Sequence, residues 1–166
     1  GLTFAPDSQA VYFVLSGPNN PVGALYRVSA LGGAVTKLLT GIISPVAAAP
    51  DGQRLAFIRL TERGEGNSLV VADVTGGNER IVLTRSGLER FGQAGPGWSP
   101  DGKEVACQIL SGMTKTSDEV WRAVGVDIQS GAQRLLTTQQ WDGCGRMAWL
   151  RDGRGLVLVG TKLGES

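Results

Sequence analysis

The 166-residue sequence contains no histidine. This absence excludes from these residues the catalytic sites that depend on histidine, such as the Ser-His-Asp and Cys-His arrangements, the HExxH zinc site and the histidine of the protein-kinase catalytic loop. Cysteine is almost absent as well, with Cys107 and Cys144 as its two members. Because zinc held by cysteine alone needs four thiolates, no such site can form here. A free pair of thiols is expected rather than a disulfide framework.

Several other features are missing. The 16 basic and 15 acidic residues give a net charge of +1 without a basic cluster, so nucleic acid is not expected as a partner. No apolar run reaches the length of about 18 residues needed to cross a bilayer, so this segment should not insert into a membrane. The glycine cluster GQAGPG at 92–97 lacks the Lys-Ser/Thr of a phosphate-binding loop. We predict no metal and no cofactor.

What the sequence does contain is a repeat. Four segments share an aspartate that is followed by a short apolar run: FAPDSQAVYFVL from Phe4, AAPDGQRLAFIRL from Ala48, WSPDGKEVACQIL from Trp98 and WLRDGRGLVLVG from Trp149. Their aspartates, called the turn aspartates below, are Asp7, Asp51, Asp101 and Asp152, separated by 44, 50 and 51 residues. A period of about 40–50 residues is typical of propellers and solenoids.

Each repeat is predicted to form four antiparallel strands. Asp-Gly and Gly-Gly pairs between strand-like apolar runs indicate hairpins, because glycine tolerates a positive φ. Four strands in about 45 residues make one propeller blade. The sequence therefore predicts an all-β partial β-propeller of about three and a half blades, roughly 1–40, 41–84, 85–138 and a half blade at 139–166. Because this number does not close a ring, we expect the chain to be part of a longer propeller.

The repetition also assigns roles to individual residues. An aspartate in a turn commonly accepts a hydrogen bond from the backbone two residues further on, so the turn aspartates are expected to be structural rather than a metal or acid/base ring. Trp98 and Trp149 stand three residues before their aspartates. Their equivalent positions predict packing between blades.

The segments WSPDGKEVA and LVVADVTGGNERIVLT resemble the TolB-type, WD-repeat-like β-propeller repeat, and the resemblance covers essentially the whole chain. The segment MAWLRDGRGLVLVG resembles propellers attached to bacterial serine/threonine kinase-like proteins and to winged-helix regulators. Similar blades occur in the Tol-system periplasmic protein and in prolyl-oligopeptidase-type peptidases. The chain departs from the pattern at Ser8, in place of glycine, and at Arg151, in place of proline.

The resemblance implies a non-catalytic binding or sensor module of a bacterial signalling or envelope protein, with a periplasmic or other extracytoplasmic location favoured. The alternative is the gating propeller of a prolyl-oligopeptidase-type hydrolase whose catalytic domain lies outside this chain. Under either reading the partner is a protein, a peptide or a small ligand at the central funnel. The open edge of the half blade also favours self-association.

Candidate contacts lie in the connectors that do not repeat, because binding residues concentrate in loops. The connector 85–97 supplies Arg90 and Phe91. The connector TQQWDGCGR, which is predicted to be a turn-rich loop, supplies Trp141, the preferred contact residue, and Arg146. Aromatic and arginine side chains are typical anchors of interfaces. The alternative for Trp141 is that its ring packs between blades.

Overall fold

The computed structural model describes residues 1–112 and 119–162, which form fifteen strands and no helix. The strands are β1 (Leu2–Phe4), β2 (Ala10–Gly17), β3 (Asn20–Ser29), β4 (Thr36–Ile42), β5 (Ala47–Ala48), β6 (Arg54–Leu60), β7 (Gly66–Asp73), β8 (Arg80–Ser86), β9 (Glu89–Phe91), β10 (Gly97–Trp98), β11 (Glu104–Ser111), β12 (Val120–Asp127), β13 (Gln133–Leu135), β14 (Trp141–Trp149) and β15 (Leu156–Lys162). Among these residues no helix is long and apolar enough to span a bilayer.

The strands are arranged as successive antiparallel blades. Blade 1 has the order β1-β2-β3-β4, and blade 2 has the order β5-β6-β7-β8. In blade 3, β11 pairs with β9, β10 and β12, and β12 pairs with β13. The half blade consists of β14 and β15. The prediction of an all-β propeller of about three and a half blades is confirmed, with residues 113–118 of blade 3 and 163–166 of the half blade outside the described residues.

The turn between the first and second strands is the same in all four blades. Each turn aspartate accepts, through Oδ1, the backbone N–H of the residue two positions later, at distances of 2.8–3.1 Å. The residue after the aspartate has a φ of 60–70° in every blade, and it is glycine in three of them. In blade 1 this residue is Ser8, which replaces the glycine of the repeat and adopts the same left-handed conformation.

Antiparallel pairing sorts the connections onto two faces. The aspartate turns and the turns between third and fourth strands lie on one face, which we call the turn face. In blade 2 a hydrogen bond joins these two kinds of turn, since the N–H of Val74 donates to Gln53 O at 3.0 Å. The hairpins between second and third strands, and the connections from one blade to the next, lie on the opposite face, called the loop face. The connectors that do not repeat are therefore collected on the loop face.

The core is divided into three clusters, each between two neighbouring blades. Trp98 shows the predicted inter-blade packing: its side chain is 8% exposed, and its Nε1–H donates to Ala47 O of blade 2 at 3.1 Å. Cys107 packs in the cluster between blades 2 and 3, and Cys144 in the cluster between blade 3 and the half blade. Both cysteines are buried and free.

Two connectors contain more strand than the sequence indicated. The prediction that Trp141 lies in a turn-rich loop is wrong, because β14 begins at Trp141, which pairs with Trp121 on one side and Lys162 on the other. Phe91 lies in β9, whose short pairing with β11 places it opposite Ile109. Both segments are extended because the connection between blades runs alongside the second strand of the next blade.

Candidate functional site

The first strands of the blades come together at the inner side of the stack. Neighbouring inner strands are in contact from β1 to β5, from β5 to β10 and from β10 to β14. Side chains also cross between them, since the hydroxyl of Thr3 donates to Val46 O at 2.6 Å. This convergence places residues from four separate repeats around one position.

A cleft of about 290 Å³, called the axial cleft below, lies along these inner strands. Its walls are mainly small residues, prolines and the rings of Trp98 and Trp149. Among the described residues that line the cleft, Arg146 is the one with a charged side chain. A cleft whose exposed surface is divided about equally between polar and apolar atoms, and which carries a single cation, can hold an extended chain segment and orient one anionic or carbonyl group.

Arg146 owes its position to an irregularity in β14. The register of β14 with β15 shifts between Cys144 and Met147, which is where Arg146 lies. A bulge of this kind redirects a side chain away from the regular alternation of the strand. Arg146 is exposed, and its side chain forms no hydrogen bond or ion pair with another residue of the ranges 1–112 and 119–162. Its guanidinium is therefore available to a ligand.

The repeat shows how unusual Arg146 is. Arg146 lies three residues before Trp149. Gly95 lies three residues before Trp98, and Pro45 lies three residues before Ala48, so the three residues occupy equivalent positions of the repeat. All three residues line the axial cleft. A charged side chain has thus been placed at a repeated position that is otherwise small and uncharged.

Close approach of the inner strands keeps the cleft narrow. A Cβ added at Gly97 would lie 2.8 Å from Met147 O, which is too short for any real contact. A Cβ at Gly95, whose φ is +98°, would lie 3.2 Å from Pro45. Glycine at these positions lets three blades approach one another at the cleft.

Behind the cleft, the buried amide of Gln108 ties two blades together. Its Nε2 donates to Gly95 O at 3.1 Å and to Gly145 O at 2.8 Å. Gly145 precedes Arg146 in the bulge, so Gln108 holds the backbone from which Arg146 projects. Sequence reasoning did not identify Gln108, although a signal was present: it is a polar residue in an apolar run, at the position that Ile58 occupies in blade 2.

Two arginines flank the tryptophans of the cleft. The guanidinium carbon of Arg54 lies 4.9 Å from the ring centre of Trp98, and that of Arg134 lies 5.8 Å from the ring centre of Trp149. Asp51 holds Arg54 through a 2.9 Å hydrogen bond from Nε, so this turn aspartate also supports the neighbouring blade. Glu104 accepts hydrogen bonds from Arg134, which raises the pKa of Arg134. The rings are thereby fixed by charge–π contacts.

The remaining candidate residues lie outside the axial cleft. Phe91 is 2% exposed, and its backbone exchanges hydrogen bonds with the amide of Asn67. Arg90 is half-buried and donates to Gly87 O at 2.9 Å. Trp141 is half-buried, and its indole nitrogen is buried without a hydrogen-bond partner in the described part of the chain. Binding by the four candidate residues stays a prediction, and Arg146 alone among them lines the cleft.

The turn aspartates serve their own turns rather than a shared site. A hydrogen bond from the Ser99 hydroxyl, together with the N–H of Lys103, lowers the pKa of Asp101. Burial raises the pKa of Asp51, but hydrogen bonds from Gln53 and Arg54 outweigh it and leave the pKa lowered. In the ranges 1–112 and 119–162, no three acidic or cysteine side chains are grouped as a metal site would require.

No family model and no curated protein matches the chain. Solved structures do resemble it. TolB from Acinetobacter baumannii matches with a TM-score of 0.72 and 18% identity over 99% of this chain and 38% of that protein. The putative TolB from Agrobacterium tumefaciens gives 0.69 and 23% identity over 99% of this chain and 54% of that protein. Prolyl oligopeptidase B from Galerina marginata gives 0.62 and 14% identity over 87% and 22% of the two chains.

These similarities establish the fold, so the chain has the TolB-like β-propeller fold that the repeats predicted. It spans about four tenths to half of the length of the two TolB proteins. The resemblance to propellers of kinase-like proteins stays a prediction.

Proposed function

We propose that the chain is a non-catalytic binding module that holds an extended segment of a protein or peptide partner in the axial cleft. The observation that carries this proposal is the exposed Arg146, the one charged side chain among the described residues of the cleft. A carboxylate or a backbone carbonyl of the partner pairs with this guanidinium. Apolar side chains of the partner pack against Trp149, which is half-buried beside the cleft, whereas the buried Trp98 supports the wall from behind.

The residue types support this role. Arginine and tryptophan are the commonest anchors of protein interfaces, and they work best in pockets that exclude water. The rings of Trp98 and Trp149 are held by neighbouring arginines, so little side-chain freedom is lost on binding. Trp141 and Arg90, which are partly exposed on other surfaces, are proposed as secondary contacts, and Phe91 as a buried support for β9.

The setting that we propose is a bacterial signalling or envelope protein in an extracytoplasmic compartment. The resemblance of the repeats to the Tol-system periplasmic protein supports it, as does the TolB-like fold. In such a protein the stacked blades would act as a rigid platform that presents the cleft.

Selection of peptides from a random library against the immobilised chain tests the proposal. An enriched peptide should bind the Arg146→Ala chain about 10- to 100-fold more weakly, because a hydrogen bond to a charged group contributes roughly 1.5–3 kcal/mol. Arg151→Ala is the matched control, since Arg151 is an exposed arginine of the same blade on the turn face. Equal losses for the two variants, or no enriched peptide at all, contradict the proposal.

A second function is favoured by the similarity to prolyl oligopeptidase B, which covers 87% of this chain. In this alternative the propeller restricts access to a hydrolase domain that lies outside the present sequence. The absence of histidine means that histidine-dependent catalysis would belong to that other domain. An α/β-hydrolase with a GxSxG motif in the same reading frame supports this alternative, whereas a kinase or winged-helix domain supports the signalling role.

A further inference from the structure

The second strand of a blade can be accompanied, at its loop-face end, by a strand of the connection from the preceding blade. In blade 3 this companion is β9, in which Arg90 lies opposite Leu110, the ninth residue after the turn aspartate. In the half blade it is the first part of β14, in which Gly143 lies opposite Thr161, again the ninth residue. The companion strand therefore recurs at equivalent positions of the repeat.

Blade 2 lacks this companion strand. β6 pairs with β4 at one position, where Arg59, the eighth residue, lies opposite Ile42. The ninth and tenth residues, Leu60 and Thr61, continue beside β7. On their other side, no strand of the ranges 1–112 and 119–162 pairs with them. A strand position that is filled twice in the stack is thus open here.

A bulge in β4 explains the difference. The register of β4 with β3 shifts between Thr40 and Ile42, and Gly41 between them has a φ of +80°. Because a bulge bends its strand, the earlier residues of β4 stay beside β3 and diverge from β6. In blade 3 the chain instead turns at Gly87, between β8 and β9, which leaves β9 to pair with β11.

The divergence of β4 from β6 leaves a groove of about 670 Å³, called the junction groove below. Its walls are residues 37–41 of β4, residues 59–62 at the end of β6, Val22 and Glu79. The groove lies between blades 1 and 2, whose strands are all described, so neither wall is an end of the stack. None of these residues lines the axial cleft, so the junction groove is a separate site.

Main-chain groups along this groove are open. Gly112 of blade 3, the eleventh residue after the turn aspartate, donates its N–H to Leu88 O, next to β9, at 3.1 Å. Glu62 is the eleventh residue in blade 2, and its N–H has no acceptor in the described part of the chain. On the β4 wall, Thr40 O accepts from Nη2 of Arg59 at 3.1 Å, so a side chain takes the place of a strand N–H. The groove therefore offers an unused main-chain donor at Glu62.

The side chain of Arg59 is itself only partly satisfied. Its Nη1 donates to Glu79, whereas its Nε–H is buried and has no hydrogen-bond partner among the described residues. A buried donor without an acceptor is costly, and a carbonyl oxygen of an incoming segment is the kind of acceptor that it lacks.

We propose that an extended segment of a partner polypeptide occupies the junction groove and pairs antiparallel with the end of β6, as β9 pairs with β11. In strand addition of this kind, main-chain hydrogen bonds supply the affinity. The charged side chains that line the groove are two cations and two anions: Lys37, Arg59, Glu62 and Glu79. Their charges cancel, so the groove favours a segment without net charge over a strongly acidic or basic one.

The junction groove is independent of the binding proposed for the axial cleft. Peptides are therefore selected from a random library against the immobilised Arg146→Ala chain, in which the anchor of the cleft is absent. Addition of Glu62→Pro to this chain should weaken the binding of an enriched peptide about 3- to 10-fold, because proline removes one main-chain hydrogen bond.

Proline fits the fold at this position. Glu62 is the second residue of a β-turn in which the N–H of Gly64 donates to Thr61 O at 2.8 Å, and the second position of a turn favours proline. The matched control is Arg151→Pro, since Arg151 has the same position in the turn that the N–H of Gly153 closes on the turn face. Arg151→Pro, and Glu62→Ala, which removes only the carboxylate, should each leave the affinity unchanged.

Amide hydrogen exchange of the Arg146→Ala chain gives a second readout that needs no substitution in the groove, and it decides the matter if Glu62→Pro does not fold. At about 90% saturation with the peptide, the Glu62 N–H should exchange with solvent deuterium about 10-fold more slowly, because only the unbound chain leaves this donor open. Amides of the turn face should exchange at unchanged rates.

The proposal is overturned if no peptide is enriched, or if the Glu62 amide is not protected in the complex. It is also overturned if Glu62→Pro leaves the affinity unchanged, or if Arg151→Pro lowers it equally. Sedimentation of the chain alone tests the competing occupant, since self-association that Glu62→Pro abolishes would place a second copy in the groove and contradict a partner segment there.

Discussion

Trp98 offers a direct test of packing between blades, because the chain contains its own control at Trp149. Replacement of Trp98 by phenylalanine removes the Nε1 donor that now reaches Ala47 O in the neighbouring blade at 3.1 Å. The equivalent nitrogen of Trp149 is also buried, but it has no hydrogen-bond partner in the described residues. The same substitution at equivalent positions therefore removes a hydrogen bond in one case and an unsatisfied donor in the other.

The size of the effect follows from two contributions. Loss of the hydrogen bond costs about 1 kcal/mol, and the smaller buried ring costs roughly another 1 kcal/mol. Trp98→Phe should thus lower the free energy of unfolding by about 2 kcal/mol, or the melting temperature by about 4–8 °C for a chain of this length. In Trp149→Phe, removal of the unsatisfied donor offsets the lost apolar contact, so its stability should change by less than about 1 kcal/mol.

Urea denaturation followed by far-ultraviolet circular dichroism measures both variants without relying on tryptophan fluorescence. The chains must be compared at one concentration, because self-association makes apparent stability depend on concentration. A loss for Trp98→Phe that does not exceed the loss for Trp149→Phe would refute the assignment of Trp98 as an inter-blade hydrogen-bond donor.

Three further substitutions test other parts of the fold. Ser8→Gly should stabilise the chain by about 0.5 kcal/mol, as seen in thermal melts, because it relieves the left-handed conformation of Ser8 more than it adds freedom to the unfolded chain; unchanged or lower stability would contradict this. Gly76→Ala should cost about 2 kcal/mol, since Gly76 has a φ of +87° and an added Cβ would lie 3.0 Å from Leu38 O. Its neighbour Gly77 has no such contact, so Gly77→Ala should leave the stability nearly unchanged. Equal urea midpoints for Gly76→Ala and Gly77→Ala would contradict this explanation. The lowered pKa of Asp101 predicts that its contribution to stability is present above about pH 4, the ordinary pKa of aspartate, and is lost as the pH falls through the lower pKa of the folded state. Asp101→Asn should therefore reduce the loss of stability between neutral and acidic pH, and an unchanged pH profile would argue against this role.

The sequence predicted the architecture well because the features that define a blade are local and repeated. Asp101-Gly102 and its three counterparts specify the same turn through a side-chain hydrogen bond and a positive φ. The hydrogen bond can be inferred from the aspartate in all four turns, and the positive φ from the glycine in three of them, whereas Ser8 gives no such signal. The role of Trp98 followed from its equivalence to Trp149. Because each pattern occurs more than once along the chain, these inferences did not depend on any single residue.

The candidate site was less predictable because it depends on how separate repeats meet. Trp141 was assigned to a loop since its surroundings are rich in glycine and polar residues, but pairing with Trp121 and Lys162 draws it into β14. Phe91 was chosen as an aromatic residue in a long connector, whereas the amide of Asn67 holds its backbone in the core. Arg146 lines the axial cleft because of a bulge that periodicity alone does not reveal.

The central claim is that the site of function is the axial cleft, where Arg146 breaks the repeat. Nuclear magnetic resonance tests this claim by following the backbone amides of the chain during titration with one enriched peptide. We predict that the largest shift changes fall within 45–48, 94–98 and 145–149. Changes centred instead on the turn face, at the turn aspartates and the residues that follow them, would contradict the account.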